Sequence, residues 1–431
     1  MRFGSAIVLA ALVSLVAACS GSDRSPGAPS GLAGAHVRVL GLWSGPELDS
    51  FVAVKSAWER ETGAAVDWVP STDIAAALAG RAAAGNGPDL AILPNLALMN
   101  QLAEAGTLVP LDGVLDAGAI SRDYAPAWID LGRHAGKLYG IFYKVTSKAT
   151  VWYNPKAFAA AGYAVPGTWD EMIELADRIV ADGRSPFSIV AAKGPANGWA
   201  LTDWVSEIVL NDCGPDVYDR WIAAAIPWTD ACIGRAFERF LGIVSTKGYV
   251  LGGSERIIAT GDDAGADPLY TDPPAAYLDP FASFAQAFIA RNFPNLKPGA
   301  DYDVFPFPTI NPDHRGAVTV GADVPVMVHD TPAARSFMTY LAGAPAQEAW
   351  IRLGGFTSVN RSVSADAYQD PVARRVAQEL AGATTGRFSA GDMMPPAVQR
   401  AWWEAMLGLV QDPGQVDAAL DRLTTVAAGA R

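Results

Sequence analysis

The chain has 431 residues, a formal net charge of −13 and a composition half of which is hydrophobic. That length is more than one hydrophobic core fills, so two domains are expected, and the acidity argues against nucleic acid or a polybasic hold on membranes. Four scattered histidines (His36, His134, His314, His329) and three cysteines form no cluster with metal-ligand spacing, so no metal and no cofactor are expected.

The first element is an apolar stretch, Ile7 to Val16, preceded by a single charge at Arg2 and ending in Val16-Ala17-Ala18-Cys19. It is long enough for the core of a signal peptide and too short to span a bilayer comfortably. Small residues precede the expected cut, and a cysteine directly after it resembles a bacterial lipobox. Residues 1–18 are therefore read as a lipoprotein signal peptide, with Cys19 as the lipidated residue. Residues 19–35, rich in Ser, Gly, Pro and Ala, are read as a flexible tether. The protein would then sit on the extracytoplasmic face of the cell membrane, held by its lipid alone, since no second apolar run is long enough to cross. The plainer alternative is an ordinary secretory signal with a coincidental cysteine.

The fold is expected to begin with an alternating strand at 36–43, followed by a helix from Phe51 to Thr62 closed by Gly63. A strand at 64–69, an Ala-rich helix from Asp73, an apolar strand at 89–94 and a helix from Leu96 to Gly106 continue the alternation, which indicates an α/β domain around a mostly parallel sheet. Residues 140–155 read as one long strand crossing between domains. Thr168 and Glu171 have capping-box spacing at the start of a helix. A helix start is expected between Gly194 and Leu210, and a proline-rich acidic loop at 268–279. The segments 304–308 and 317–323 read as strands returning to the first domain, and the last third is helical. Cys213 and Cys232 are 19 residues apart; outside the cytoplasm they could close a disulfide loop worth about 3 kcal/mol, or remain two small buried thiols.

Several segments together resemble the extracellular solute-binding proteins of bacterial ABC sugar importers, the maltodextrin-binding type. They are Gly85-Asn86-Gly87-Pro88-Asp89 before an apolar strand, Leu102-Ala103-Glu104-Ala105-Gly106 with Leu108-Val109-Pro110-Leu111, Gly140 leading into the crossing strand, Val151-Trp152-Tyr153-Asn154-Pro155, and Gly391-Asp392-Met393-Met394-Pro395 before an aromatic helix. A narrower resemblance, to the α-glucoside-binding branch, rests on Lys144 to Asn154, Gly198 to Trp204, Asp272-Pro273-Pro274 and Trp350 to Phe356. The resemblance implies a two-lobed periplasmic-binding-protein fold of type II, α/β throughout, with hinged lobes around mostly parallel sheets. It places the N-terminal lobe at 36–146 and 303–350 and the C-terminal lobe at 147–302 and 351–431. It also implies a monomeric, non-enzymatic receptor that captures an α-glucoside or related di- or oligosaccharide between the lobes and delivers it to the permease subunits of an ABC importer.

Sugar sites combine aromatic rings, which pack on the apolar face of a pyranose, with charged and amide groups for its hydroxyls. On that basis the first-lobe candidates are Trp43, Ser44 and Glu47 in the loop after the first strand, and Asn95 after the third; ligands in such sheets lie beyond the carboxyl ends of strands. The alternative for Trp43 is a packed loop residue. Lys148 is the candidate at the crossing, with a surface ion pair as its alternative. In the second lobe Trp199 and Asp203, four apart, share a helix face, whereas Trp204 points elsewhere and suits the core. Asp323 is placed in the cleft by the second crossing. Phe356 and Asp392 are further candidates. The resemblance adds one of Trp402 and Trp403, since neighbours on a helix point about 100° apart. Two other classes compete: an exported binder of a polyamine or another polyol, and an exported glycoside hydrolase. The latter needs two carboxylates about 5 Å or 6.5–9.5 Å apart; no Gly-x-Ser-x-Gly elbow is present for a serine hydrolase.

Overall fold

The computed structural model describes Met1 and residues 31–430 apart from 72, 84, 85, 149 and 192–196. The expected signal peptide beyond Met1, Cys19 and most of the tether lie outside the described residues. Two sheets organise the chain. In the first, the strands run in the order Thr385–Phe388, Ala317–Met327, Leu90–Leu93, His36–Gly41 and Ala65–Pro70, with Lys144–Ser147 added alongside Ala317–Met327. His36–Gly41 pairs in parallel with both of its neighbours, as the strand–helix alternation requires. The second sheet runs Asp303–Phe305, Val151–Tyr153, Ala276–Pro280 and Ser185–Phe187.

The strand Ala317–Met327 joins the two halves of the first sheet. Its C-terminal part pairs antiparallel with Leu90–Leu93, its middle antiparallel with Lys144–Ser147, and its start in parallel with Thr385–Phe388. The crossing at 140–155 is two strands rather than the single one expected: Lys144–Ser147 belongs to the first sheet and Val151–Tyr153 to the second. The chain passes between the sheets at the break.

Two hydrophobic cores accompany the two sheets. The first contains Val37, Phe51, Trp58, Leu90, Tyr143, Phe337 and Trp350. It continues onto one face of the second sheet through Trp152, Phe281 and Val304. The opposite face, carried by Val151, Leu278 and Phe305, packs into the second core with Phe187, Trp204, Phe237 and Trp402. Adjacent strand residues point to opposite faces, so this sheet is buried on both sides.

Three expectations are corrected. The return to the first lobe does not begin at 303, because Asp303–Phe305 pairs antiparallel with Val151–Tyr153 in the second sheet. Residues 351–388 do not belong wholly to the second lobe: Thr385–Phe388 pairs with Ala317–Met327 in the first sheet, although Arg375 reaches back to Asp303 of the second sheet at 3.1 Å. The stretch 268–279 is not all loop, since Ala276–Pro280 is a buried strand.

Local chemistry accounts for the elements nearest the site. Thr168 and Glu171 form the full capping box, each side chain bonded to the other's backbone N–H. The helix Trp199–Cys213 is buried on every side from Ala200 to Asn211, so its sequence shows no polar stripe. Among the described residues, no helix is long and apolar enough to cross a membrane.

Candidate ligand-binding site

Lys144 opens the strand Lys144–Ser147 and Lys148 directly follows its end, four residues or about 13 Å along an extended chain at ~3.3 Å per residue. Each lysine meets carboxylates of a different part of the molecule. Lys144 pairs with Glu47, in the first turn of the helix Gly45–Thr62, and lies 3.6 Å from Asp323. Asp323 also accepts the indole N–H of Trp43 at 2.9 Å. Burial raises the Asp323 carboxyl above the usual range, against the pull of Lys144.

Lys148 reaches the second lobe. Its ammonium is 3.3 Å from Asp203, 3.7 Å from Asp392 and 4.8 Å from the ring centre of Trp199. Gly321 makes room for it: a Cβ there would lie 2.9 Å from Lys148 Cε. Burial alone would lower the lysine pKa, but the two carboxylates outweigh it and hold the ammonium above the ordinary range. Asp203 is almost fully buried and accepts the Ser389 hydroxyl at 2.6 Å. Burial, reinforced by the charge of Asp392, pushes its carboxyl up to about 6 despite Lys148.

These groups line a cavity of about 220 Å³ together with Thr202, Gly391, Gln399 and Trp403. Gln399 is fixed by donating to Gly391 O at 2.8 Å. Gly198, at φ 106°, is the N-cap of the helix that starts with Trp199, and a Cβ there would lie 2.7 Å from Trp403 O. Only glycine allows both that backbone conformation and that approach, and so the two tryptophans reach one cavity. The chemistry offered is two rings for an apolar ligand face, two carboxylates as acceptors, and an ammonium and an amide as donors.

Of the sequence candidates, Lys148, Trp199, Asp203, Asp392 and Trp403 therefore share this cavity, while Glu47 and Asp323 gather around Lys144. Four aromatic candidates lie elsewhere. Trp43 is buried against Phe51, Trp68 and Trp350 and turns only its N–H toward Asp323. Phe356 packs on Tyr143 and Trp350. Trp204 is enclosed by Phe187, Phe240 and Phe307. Trp402 is wholly buried against Trp221 and Trp228, so the helical rotation leaves Trp403 at the cavity. Asn95 is an N-cap whose side chain accepts from Leu98 N–H. Ser44 is exposed at the start of the helix Gly45–Thr62, with no side-chain capping bond.

Sequence reasoning missed Lys144, Thr202, Ser389, Gln399 and Phe281, whose ring lies 5.3 Å from that of Trp199. The nearness of Lys144 to Lys148 in the crossing segment was a usable signal; Ser389 and Gln399 had none, because distant chain segments bring them in. Cys213 and Cys232 are bridged, with Cα atoms 6.0 Å apart. The Asp212 carboxylate lies within 4.8 Å of both sulfurs, but the bridge uses both sulfurs, which leaves no thiolate to bind a metal.

A profile of the family described as bacterial extracellular solute-binding protein matches residues 44–348. The osmoprotective compounds-binding protein GgtB of Synechocystis sp. is 34% identical over 376 residues, covering 87% of this chain and 88% of that protein. The alpha-glucosides-binding periplasmic protein AglE of Rhizobium meliloti is 33% identical over 398 residues, covering 90% and 86%. Among solved structures, the bacterial solute receptor AcbH superposes with a TM-score of 0.78 at 18% identity, covering 92% of this chain and 99% of that one.

Proposed function

Because the chain belongs to the bacterial extracellular solute-binding protein family, we propose that its ligand is an α-glucoside or a related di- or oligosaccharide, held at the Lys148–Asp203 cavity and handed to the permease of an ABC importer. The observation that carries this reading is the joining of Trp199 and Trp403 with Lys148, Asp203 and Asp392 around one cavity. A pyranose has an apolar C–H face for a ring and hydroxyls that both donate and accept. Hydrogen bonds to charged groups contribute about 1.5–3 kcal/mol each. Three or four with ring contact reach the roughly 8 kcal/mol of a micromolar complex.

The cavity is smaller than the ~300–1,000 Å³ of a site that encloses a drug-sized ligand. It suits one sugar ring, with the rest of the ligand extending toward Glu47, Lys144 and Asp323 along the crossing segment. Ligand that touches both clusters makes more contacts when the lobes close, which shifts the population toward closure. The break between Lys144–Ser147 and Val151–Tyr153, and the segment between Asp303–Phe305 and Ala317–Met327, are the connections between the two sheets and would be the ones to bend. The two relatives, whose names state binding of osmoprotective compounds and of alpha-glucosides, support this ligand class. Lipidation at Cys19 would keep the receptor near the permease and raise its effective concentration there.

The test is calorimetry and thermal shift against sucrose, maltose, trehalose, glucosylglycerol, free monosaccharides and a polyamine. Binding of an α-glucoside with no response to the polyamine is expected; the reverse pattern overturns the reading. Chromogenic glycosides incubated with the protein should release no product.

A further inference from the structure

We propose that the Cys213–Cys232 bridge is a thiol-exchange site with a fixed polarity, in which a low-molecular-weight thiol attacks Sγ of Cys213 and Cys232 departs as the thiolate. The bridge ties the last residue of the helix Trp199–Cys213 to the first turn of the helix Ala231–Ser245. Both cysteines are half-buried; Cys213 packs against the edge of the second core, and Cys232 does not.

The two sulfurs sit in different fields. Arg235 Nη2 lies 2.9 Å from Cys232 Sγ and donates to it. Cys232 is also in the first turn of its helix, where unpaired backbone N–H groups favour negative charge. Asp230 brings the opposing charge to this turn, but its carboxylate is engaged by the Cys232 backbone N–H at 2.9 Å. The Asp212 carboxylate lies within 4.8 Å of both sulfurs and does not distinguish them, but Cys213 sits at a helix C-terminus, which disfavours a thiolate there. Asp212 holds Arg235 at 3.7 Å and Arg239 at 3.4 Å, so the guanidinium beside Cys232 is itself anchored.

A departing sulfur of lower pKa leaves faster. In the step, the incoming thiolate forms a bond to Cys213 Sγ. The Cys213–Cys232 bond breaks with its electron pair on Cys232 Sγ, where Arg235 stabilises it. The products are a mixed disulfide on Cys213 and a free Cys232. At about 1.5 Å per helical residue the adduct is about 20 Å from Trp199, outside the candidate ligand cavity.

The experiment exposes the folded protein to reduced glutathione, quenches with acid, alkylates free thiols and maps both cysteines by peptide mass spectrometry. The Cys19 peptide is read separately. Glutathione on Cys213 with the alkyl label on Cys232 is expected. Glutathione chiefly on Cys232, an even split, or no exchange short of unfolding overturns the proposal. Arg235→Gln should slow exchange several-fold and erode the site preference, and Arg235→Lys should restore much of both; equal rates for wild type and Arg235→Gln also overturn it. As an independent reading, Cys232 in Cys213→Ser should alkylate at lower pH than Cys213 in Cys232→Ser, and the opposite order refutes the assigned polarity.

Discussion

Replacing Asp203 by asparagine keeps the shape of the side chain and an acceptor for Ser389 but removes the charge that faces the cavity. Lys148 is not orphaned, because Asp392 at 3.7 Å and the Trp199 ring at 4.8 Å remain. The variant should therefore fold, and the loss should fall on the ligand. A hydrogen bond to a charged group contributes about 1.5–3 kcal/mol, so affinity should drop roughly 10- to 150-fold. The same group gives a pH signature. Burial raises the Asp203 carboxyl to about 6, so it is charged above that pH and takes up a proton below it. One pH unit below, roughly a tenth of these carboxyls stay charged. Wild-type affinity should weaken about tenfold from pH 8 to pH 5, while Asp203→Asn should bind weakly and evenly across the range. Isothermal titration calorimetry with the tightest sugar found, at pH 5, 6.5 and 8, reads both effects. Wild-type affinity in the variant, or parallel pH profiles, would refute the assignment of Asp203 to the ligand.

Further outcomes follow from the packing around the cavity. Glu207 is buried, accepts from Thr319 N–H at 2.8 Å and from Asn211, and burial pushes its carboxyl from 4.5 to about 7. Between those values the unfolded chain has lost the proton that the folded chain keeps, so stability falls as pH rises, by about 3 kcal/mol. Glu207→Gln should flatten this slope in urea unfolding between pH 5 and 8, and an unchanged slope rejects it. Trp403→Ala should lower affinity at least about tenfold with little loss of stability, whereas Trp402→Ala should cost about 3–5 kcal/mol of folding free energy; calorimetry beside thermal melts separates the two. Gly321→Ala puts a methyl group 2.9 Å from Lys148 Cε and should weaken binding several-fold without contacting the ligand; unchanged affinity would show that the lysine position is not critical. Cys19→Ser should release the protein from membranes with ligand affinity intact, as read by fractionation and calorimetry.

Much of the first lobe was legible because its signals are local. Short apolar runs, alternating at His36–Gly41 and continuous at Leu90–Leu93, mark the strands between Gly- and Pro-containing breaks, and parallel pairing follows from the helices between them. The Trp199–Asp203 pair was legible because helical spacing fixes their common face. The packing of Trp43 and Phe356 was not legible for a physical reason: a tryptophan or phenylalanine in a loop carries the same local signature whether its ring meets a ligand or packs, as theirs do, on Trp350. Asp303–Phe305 misled for a similar reason, since a short apolar strand does not state which sheet it joins.

The sequence by itself determined the α/β alternation, the capping box at Thr168, the helical face shared by Trp199 and Asp203, and the rule that only one of Trp402 and Trp403 can face a given side. Each depends on residues within one turn or one strand, where covalent geometry sets direction. Tertiary structure alone decided that Trp403 is the one at the cavity, that Ser389 holds Asp203, and that the crossing segment gives Lys144 and Lys148 to separate carboxylate clusters. Those outcomes depend on segments up to about two hundred residues apart meeting at the strand Ala317–Met327, and no local pattern encodes a contact whose partner lies that far along the chain.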